Sequence, residues 1–397
     1  VELSREAEEL IIVANFAEIY LAKEGHDGLV GVNYLEKIQL PTLPSLFGAM
    51  LARVDYVLMG AGIPRTIPGI LDRLSEAEPV ELGLNVVGAG RGDNFVTRFD
   101  PAASLNGQVP FLSRPKFLAI VASATLATML ARKATGHVDG FVIEGPTAGG
   151  HNAPPRGALQ LNELGEPIYG DRDVPDLDTF LGLQRPFWLA GSHGSPERVV
   201  QALEAGAAGV QVGTAFAFCE ESGLSPEIKR EVMDMSLASI ANVRTDPLAS
   251  PAGFPFKVLT LQESISREDL YQQRPRICDL GYLRHLYKEE DGSIGMRCPA
   301  EKIDAYVAKG GERQDTEGRL CVCNGLISSV GMGQVRRRKD IELPLVTCGD
   351  EVRRIYQFLP SPDAKTYTAH DVIENLLSEL RKTQGQRQTA GLVASVE

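Results

Sequence analysis

Phe187–Phe216 reads FWLAGSHGSPERVVQALEAGAAGVQVGTAF, and this stretch decides the fold. Its opening FWLA and the later Ala208–Val212 (AGVQV) are short apolar runs of the kind that form parallel strands buried on both faces. Between them, Ser195-Pro196-Glu197 supplies an N-cap, a first-turn proline and a favourably placed acid, and the helix runs to Ala205 before Gly206 ends it. The next strand arrives within three residues. Such compact spacing is typical of a (β/α) barrel.

The same alternation extends upstream. Strands are predicted at Leu29–Tyr34, Asp55–Met59, Phe117–Ala122 and Gly140–Glu144, with helical patterns between them, which makes six with the two above. The fold class is therefore α/β, a TIM (β/α)8 barrel. A closed barrel needs eight strands, so at about thirty residues per βα unit roughly 60 residues are wanting. The chain opens on an amphipathic helix, EAEELIIVANFAEIYLAKEG, with no strand before it. The expectation is that the first two βα units lie upstream of Val1 or on another chain. Residues 1–224 are read as the barrel, with an exposed hairpin inserted at 81–99 and a Pro/Gly/Asn-rich active-site loop at His151–Asp173. Residues 225–360, read as helices and loops, form an appendage or lid domain, and 361–397 a C-terminal helix and tail. Thr368 and Asp371 stand in a capping-box arrangement at the start of that helix, which is expected to end at Lys382.

Composition narrows the function. The 397 residues carry 40 Lys+Arg against 52 Asp+Glu, a net charge of -12, so no nucleic-acid partner is expected. The one basic cluster, Arg336-Arg337-Arg338-Lys339, reads as a solvated turn. No apolar run approaches the roughly 18 to 20 residues that span a bilayer, and no membrane partner is expected. Six sparse cysteines fit a reducing cytoplasm better than a disulfide frame. Cys278, Cys298, Cys321 and Cys323 fall in one segment and could form a four-thiolate zinc site, but C-x-C with long unequal gaps is weak spacing and no metal is expected.

Three constellations carry chemistry. Gly191-Ser192-His193-Gly194-Ser195 and Gly213-Thr214 each follow a late strand, and their small residues let backbone N–H groups approach an anion where barrel loops 7 and 8 hold a phosphate. Plain tight turns are the competing reading. Glu144-Gly145-Pro146-Thr147-Ala148-Gly149-Gly150-His151 lets the backbone pass beneath a flat ligand and presents His151 as an acid or base, with a structural histidine as the alternative. Gly31-Val32-Asn33, Met59-Gly60-Ala61-Gly62 and Ala122-Ser123 offer small and amide side chains suited to a planar heteroaromatic ring, or are ordinary strand-ending turns. Rossmann, P-loop and α/β-hydrolase motifs are missing.

In this order, GVN, EGPTAGGH and AGSHGSPERVVQALEAGAAGVQVGTAF resemble the nitronate monooxygenase family, once called 2-nitropropane dioxygenases, which are FMN-dependent barrel flavoenzymes. The resemblance covers residues 25–222, and DPLASPAGFPFK to CVCNGL is similar to longer, bacterial members. It implies that Asn33, Gly60 and Ser123 line the flavin, that Gly149 and Gly150 pass near it, and that Gln211 sits near the ring. It also implies that Gly191, Ser192, Gly213 and Thr214 hold the phosphate and that His151 is the catalytic histidine. Two features depart from the family pattern. Gly191-Ser192-His193 stands where the family has Gly-Gly-Ile, and the opening strand with its Gly-Gly-Met is absent.

The activity so implied is oxidation of alkyl nitronates or nitroalkanes by O2 to a carbonyl compound and nitrite. FMN is the cofactor, and a small-molecule substrate and O2 are the partners, with a homo-oligomer left open. Barrel reductases of fatty-acid and polyketide synthesis resemble the same AGGH and GVQVGT blocks, so reduction of an enoyl thioester by NAD(P)H is the alternative. A non-catalytic flavin-binding assembly subunit is a third reading.

Overall fold

The computed structural model describes residues 1–336 and 341–393. Its strands are β1 (Gly31–Leu35), β2 (Tyr56–Gly60), β3 (Val80–Gly83), β4 (Val86–Val87), β5 (Val96–Phe99), β6 (Lys116–Val121), β7 (Gly140–Glu144), β8 (Phe187–Ala190), β9 (Gly209–Gln211), β10 (Val243–Asp246), β11 (Phe256–Leu259), β12 (His285–Lys288) and β13 (Ile294–Arg297). Six form one sheet in the order β1-β2-β6-β7-β8-β9. β1 pairs in parallel with β2, β2 with β6 and β8 with β9, with Val32 opposite Val57, Leu58 opposite Leu118 and Leu189 opposite Val210. These are the six predicted strands, each within two residues of its expected bounds. Helices such as Ala124–Lys133 and Pro196–Glu204 make the crossovers, so the strand order is that of a (β/α) barrel. Apolar content drives the result: Phe141, Val142 and Ile143 of β7 are all buried.

The chain divides into two compact units, with the cut falling inside β7. The first comprises Val1–Val142, Asp178–Pro186 and Gly281–Thr316, and the second Ile143–Leu177, Phe187–Leu280 and Glu317–Glu397.

In the first unit, helix Arg5–Ala22 starts on Ser4, whose Oγ accepts from the Ala7 amide at 3.2 Å. It lies so close to helix Thr42–Leu51 that a Cβ on Gly48 would sit 2.4 Å from the Ile12 carbonyl oxygen. The inserted hairpin pairs β3 antiparallel to β5; its Gly88–Gly92 turn is exposed, and one face of the paired strands is buried. Its alternation buries Val80, Leu82 and Phe99, and the Phe99 ring meets Phe47 at 5.1 Å. The short β4 pairs in parallel with β12, about 200 positions on, and β13 completes that sheet.

In the second unit, β10 pairs with β11 over a core that includes Val232, Leu259, Val346, Val352, Ile355 and Tyr367. The reading of 225–360 as helices and loops alone is thus corrected by β10 to β13. These strands have four residues each, and every position of β11 is buried, which erases the period-two signal. The expected capping box is present: the Thr368 amide donates to Asp371 at 2.7 Å, and the Asp371 amide to the Thr368 hydroxyl at 3.2 Å. The helix it opens runs over Ala369–Val393, past Lys382.

The basic cluster is not a solvated turn at Arg336, which donates to Asp279 at 2.7 Å and to the buried Glu342; Arg337, Arg338 and Lys339 lie outside the described residues. Among the described residues no helix is long and apolar enough to cross a membrane.

Candidate functional site

The site lies in the second unit, where three strand ends meet. β7 ends at Glu144 and leads to Thr147-Ala148-Gly149-Gly150, β8 to Gly191-Ser192, and β9, ending at Gln211, to Gly213-Thr214; all of these line one cavity of about 330 Å3. Strands are rigid in length and direction, so residues at their C-terminal ends converge without any local sequence code. Two consecutive residues of the β8 loop are left-handed, Gly191 at φ +84° and Ser192 at φ +56°. A Cβ on Gly191 would lie 3.0 Å from Thr147 Oγ1, so glycine lets the β7 and β8 loops touch. Serine holds this left-handed backbone at a cost of about 1–2 kcal/mol relative to glycine.

A further wall comes from Thr347, Cys348, Gly349 and Glu351, which sequence reading did not single out. Gly349 donates its N–H to Thr214 Oγ1 at 2.8 Å, and Gly150 donates to Thr347 Oγ1 at 2.8 Å. No local pattern foretells these pairings, which join positions 135 and 197 residues apart.

Among the described lining residues there is no Lys or Arg, while Glu144 and Glu351 are both present. Burial pushes the Glu144 carboxyl up to about 8, so at neutral pH it holds its proton. Burial also raises Glu351, against the Gly194 amide and Arg354. The cavity is thus free of cations among its described lining, and walled by small residues and backbone groups. That chemistry suits an anionic group bound by N–H donors and a flat ring bound by neutral ones.

His151 is adjacent to this lining but not part of it. Its Nε2 lies 2.6 Å from Ser250 Oγ, and its ring centroid 4.7 Å from that of Phe256. Ser250 Oγ also accepts from the Ala252 amide at 3.1 Å, which fixes the hydroxyl oxygen beside the imidazole. Burial lowers the histidine to about 4, and the ring is neutral at physiological pH.

Asn33, Gly60 and Ser123 belong to the first unit, and none of the three lines this cavity. Asn33 is exposed on β1. Gly60 ends β2, where a Cβ would come within 2.9 Å of Ile120 Cβ. The Ser123 hydroxyl caps helix Ala124–Lys133 by accepting from Leu126 at 3.2 Å.

Among the described residues no group of three His, Cys, Asp or Glu could hold a metal ion, which corrects the candidate set Cys278, Cys298, Cys321 and Cys323. Cys298 belongs to the first unit and the other three to the second. Burial raises the Cys321 thiol, which lies 3.9 Å from the Ile277 carbonyl oxygen, whereas a metal ligand must be a thiolate.

The fold is similar to that of FabK from Thermotoga maritima, at 17% identity over 94% of this chain and 83% of that one, with a TM-score of 0.50. The enoyl reductase domain of MlnA from the macrolactin biosynthesis cluster of Bacillus amyloliquefaciens has 12% identity over 98% of this chain and 94% of that one, with a TM-score of 0.49. Nitroalkane oxidase from Streptomyces ansochromogenes has 16% identity over 96% and 78%, with a TM-score of 0.44. No curated protein matches the chain in sequence. The model of the nitronate monooxygenase family matches residues 94–246, which hold β6 to β9 and three of the loops around the cavity. Over that span the chain is similar to the nitronate monooxygenase family, whose members are FMN-dependent oxidoreductases.

Proposed function

We propose that the cavity of the second unit holds FMN and that the protein oxidises alkyl nitronates with O2 to a carbonyl compound and nitrite. One observation carries this reading: left-handed Gly191 and Ser192 share a small-walled cavity, free of Lys and Arg among its described lining, with Gly213 and Thr214. Backbone N–H groups of these four residues would hold the phosphate. Gly149, Gly150 and Gln211 would lie along the ring. FMN, when bound, supplies an electron acceptor for an electron-rich substrate and a partner for O2. Glu144, protonated, keeps the wall neutral toward an anionic substrate. His151, neutral and steadied by Ser250, would take an α-proton where the substrate is the nitroalkane itself.

The visible spectrum of the purified protein, followed by release and identification of the flavin, tests cofactor identity. Anaerobic bleaching by a nitronate without nicotinamide supports the activity, and bleaching by NAD(P)H alone rejects it. His151→Asn is expected to leave flavin bound and to slow the neutral nitroalkane at least about tenfold more than the preformed nitronate, in line with a general-base contribution. Equal loss on both rejects the base role.

A second reading, reduction of an enoyl thioester by NAD(P)H, draws support from Glu144. Hydride addition to such a substrate leaves a carbanion that needs a proton, and a cavity-lining acid still protonated at neutral pH is suited to give one.

A further inference from the structure

Thr347–Glu351 lies outside residues 94–246, yet it touches all three loops that form the cavity. The Asp350 amide donates to the Thr147 carbonyl at 3.0 Å, and Thr347 Oγ1 accepts from Gly150, which ties the segment to the β7 loop. The Gly349 amide donates to Thr214 at the β9 loop. A Cβ on Gly149 would lie 2.8 Å from the carbonyl carbon of Cys348 and the amide nitrogen of Gly349, so the two backbones are in direct contact. The β8 loop is reached by Glu351, whose carboxylate accepts the Gly194 N–H. Gly194 is held from its other side as well, because Gln357 Nε2 donates to its carbonyl oxygen at 3.0 Å. Lys257 of β11, almost wholly buried, fixes the segment from behind by an ion pair with Asp350 at 2.8 Å.

We propose that Thr347–Glu351 is a strap that sets the shape of the phosphate-holding loops, with Glu351 a positioning residue acting through Gly194. This rests on the reading of the cavity as an FMN site. Gly194 directly follows Gly191-Ser192-His193, and the left-handed Ser192 is a conformation an L-residue keeps only when its surroundings impose it. Clamping both polar groups of Gly194 imposes it from the downstream side. Because the Gly194 N–H is satisfied internally, the anion-facing donors left to a ligand are those of Gly191, Ser192, Gly213 and Thr214, which line the cavity. Glu351 therefore acts on the phosphate end of a ligand and not on its ring.

Flavin fluorescence quenching on the full chain tests this. Loss of one hydrogen bond to a charged group corresponds to about tenfold in affinity. Glu351→Ala is expected to weaken FMN by about that factor while leaving riboflavin within about twofold. Glu351→Gln, whose amide oxygen still accepts, is expected to stay within about threefold of the parent for both. FMN affinity unchanged in Glu351→Ala, or equal losses for FMN and riboflavin, would overturn the proposal. If the parent protein binds neither flavin, the FMN reading fails on its own, and amide hydrogen exchange of the unliganded protein decides the strap. Exchange at 192–194 is then expected to quicken by about tenfold in Glu351→Ala, and an unchanged rate overturns the strap. If Glu351→Ala does not fold, Gln357→Ala removes the second clamp; about threefold weaker FMN supports the idea, and no change overturns it.

Discussion

Glu342, buried, and Glu144, half-buried at the cavity wall, are two carboxyls of the same unit in opposite surroundings. Glu342 receives hydrogen bonds from Arg274 and Arg336, with Asn324 and Asp279 closing the group, and these guanidiniums hold its carboxyl below the usual range. Glu144 has a cavity in front of it and no cation lining that cavity among the described residues, and burial alone drives it up to about 8. The first arrangement is a closed account of charge that fastens the Glu342 segment to the loop around Arg274. The second leaves a polar group to be satisfied by something that enters. A buried acid with partners marks architecture, and one without them marks a place for chemistry.

The largest test of this contrast is Glu342→Ala. It leaves Arg274, 5% exposed, without its carboxylate, and is expected to cost about 3–5 kcal/mol in denaturant unfolding. A cost below about 1 kcal/mol would remove the distinction between the two acids.

The next is a pH series. Glu144 holds its proton more tightly folded than unfolded, so its contribution favours folding at low pH and is lost as pH rises from about 4.5 through about 8. Glu342 works the other way, its contribution being present above the ordinary carboxylate range and lost as pH falls through its depressed value. Glu144→Gln should flatten the alkaline decline by roughly 2–4 kcal/mol, and an unchanged profile would show that Glu144 ionises freely.

Gly149→Ala comes third. Its Cβ would press on the Cys348–Gly349 backbone and is expected to destabilise by about 1–3 kcal/mol, read as a lower thermal midpoint. Smallest is Ser192→Gly, which should stabilise by about 0.5–1 kcal/mol by relieving the left-handed serine; a loss of stability would mean that the serine side chain outweighs its strain.

Much of the fold was legible in the sequence because buried parallel strands announce themselves as short apolar runs between capped helices. Ser195-Pro196-Glu197 and Gly206 bounded a helix that runs over Pro196–Glu204, and Gly191, Ser192, Gly213 and Thr214 were found by the chemistry of small residues at strand ends. What escaped depends on partners far along the chain. Arg336 read as a solvated turn because Asp279 is 57 positions away. That one face of the hairpin is buried could not be read because Phe47 is nowhere near Phe99 in sequence. Glu351 and Thr347 carry no motif, and their place at the cavity exists only once the chain has returned to it. Glu144 stood inside a quoted motif, but its proton affinity comes from burial, which a sequence does not state.

The tie between Gly349 and Thr214 has a consequence for how the molecule is made. At roughly 5–20 residues per second, a ribosome needs on the order of ten seconds to travel the 135 positions between them. Throughout that interval the nascent barrel loops have emerged without their fastener, open to solvent and to chaperones. A ligand that needs the finished cavity can therefore be taken up only once Gly349 has followed the barrel loops.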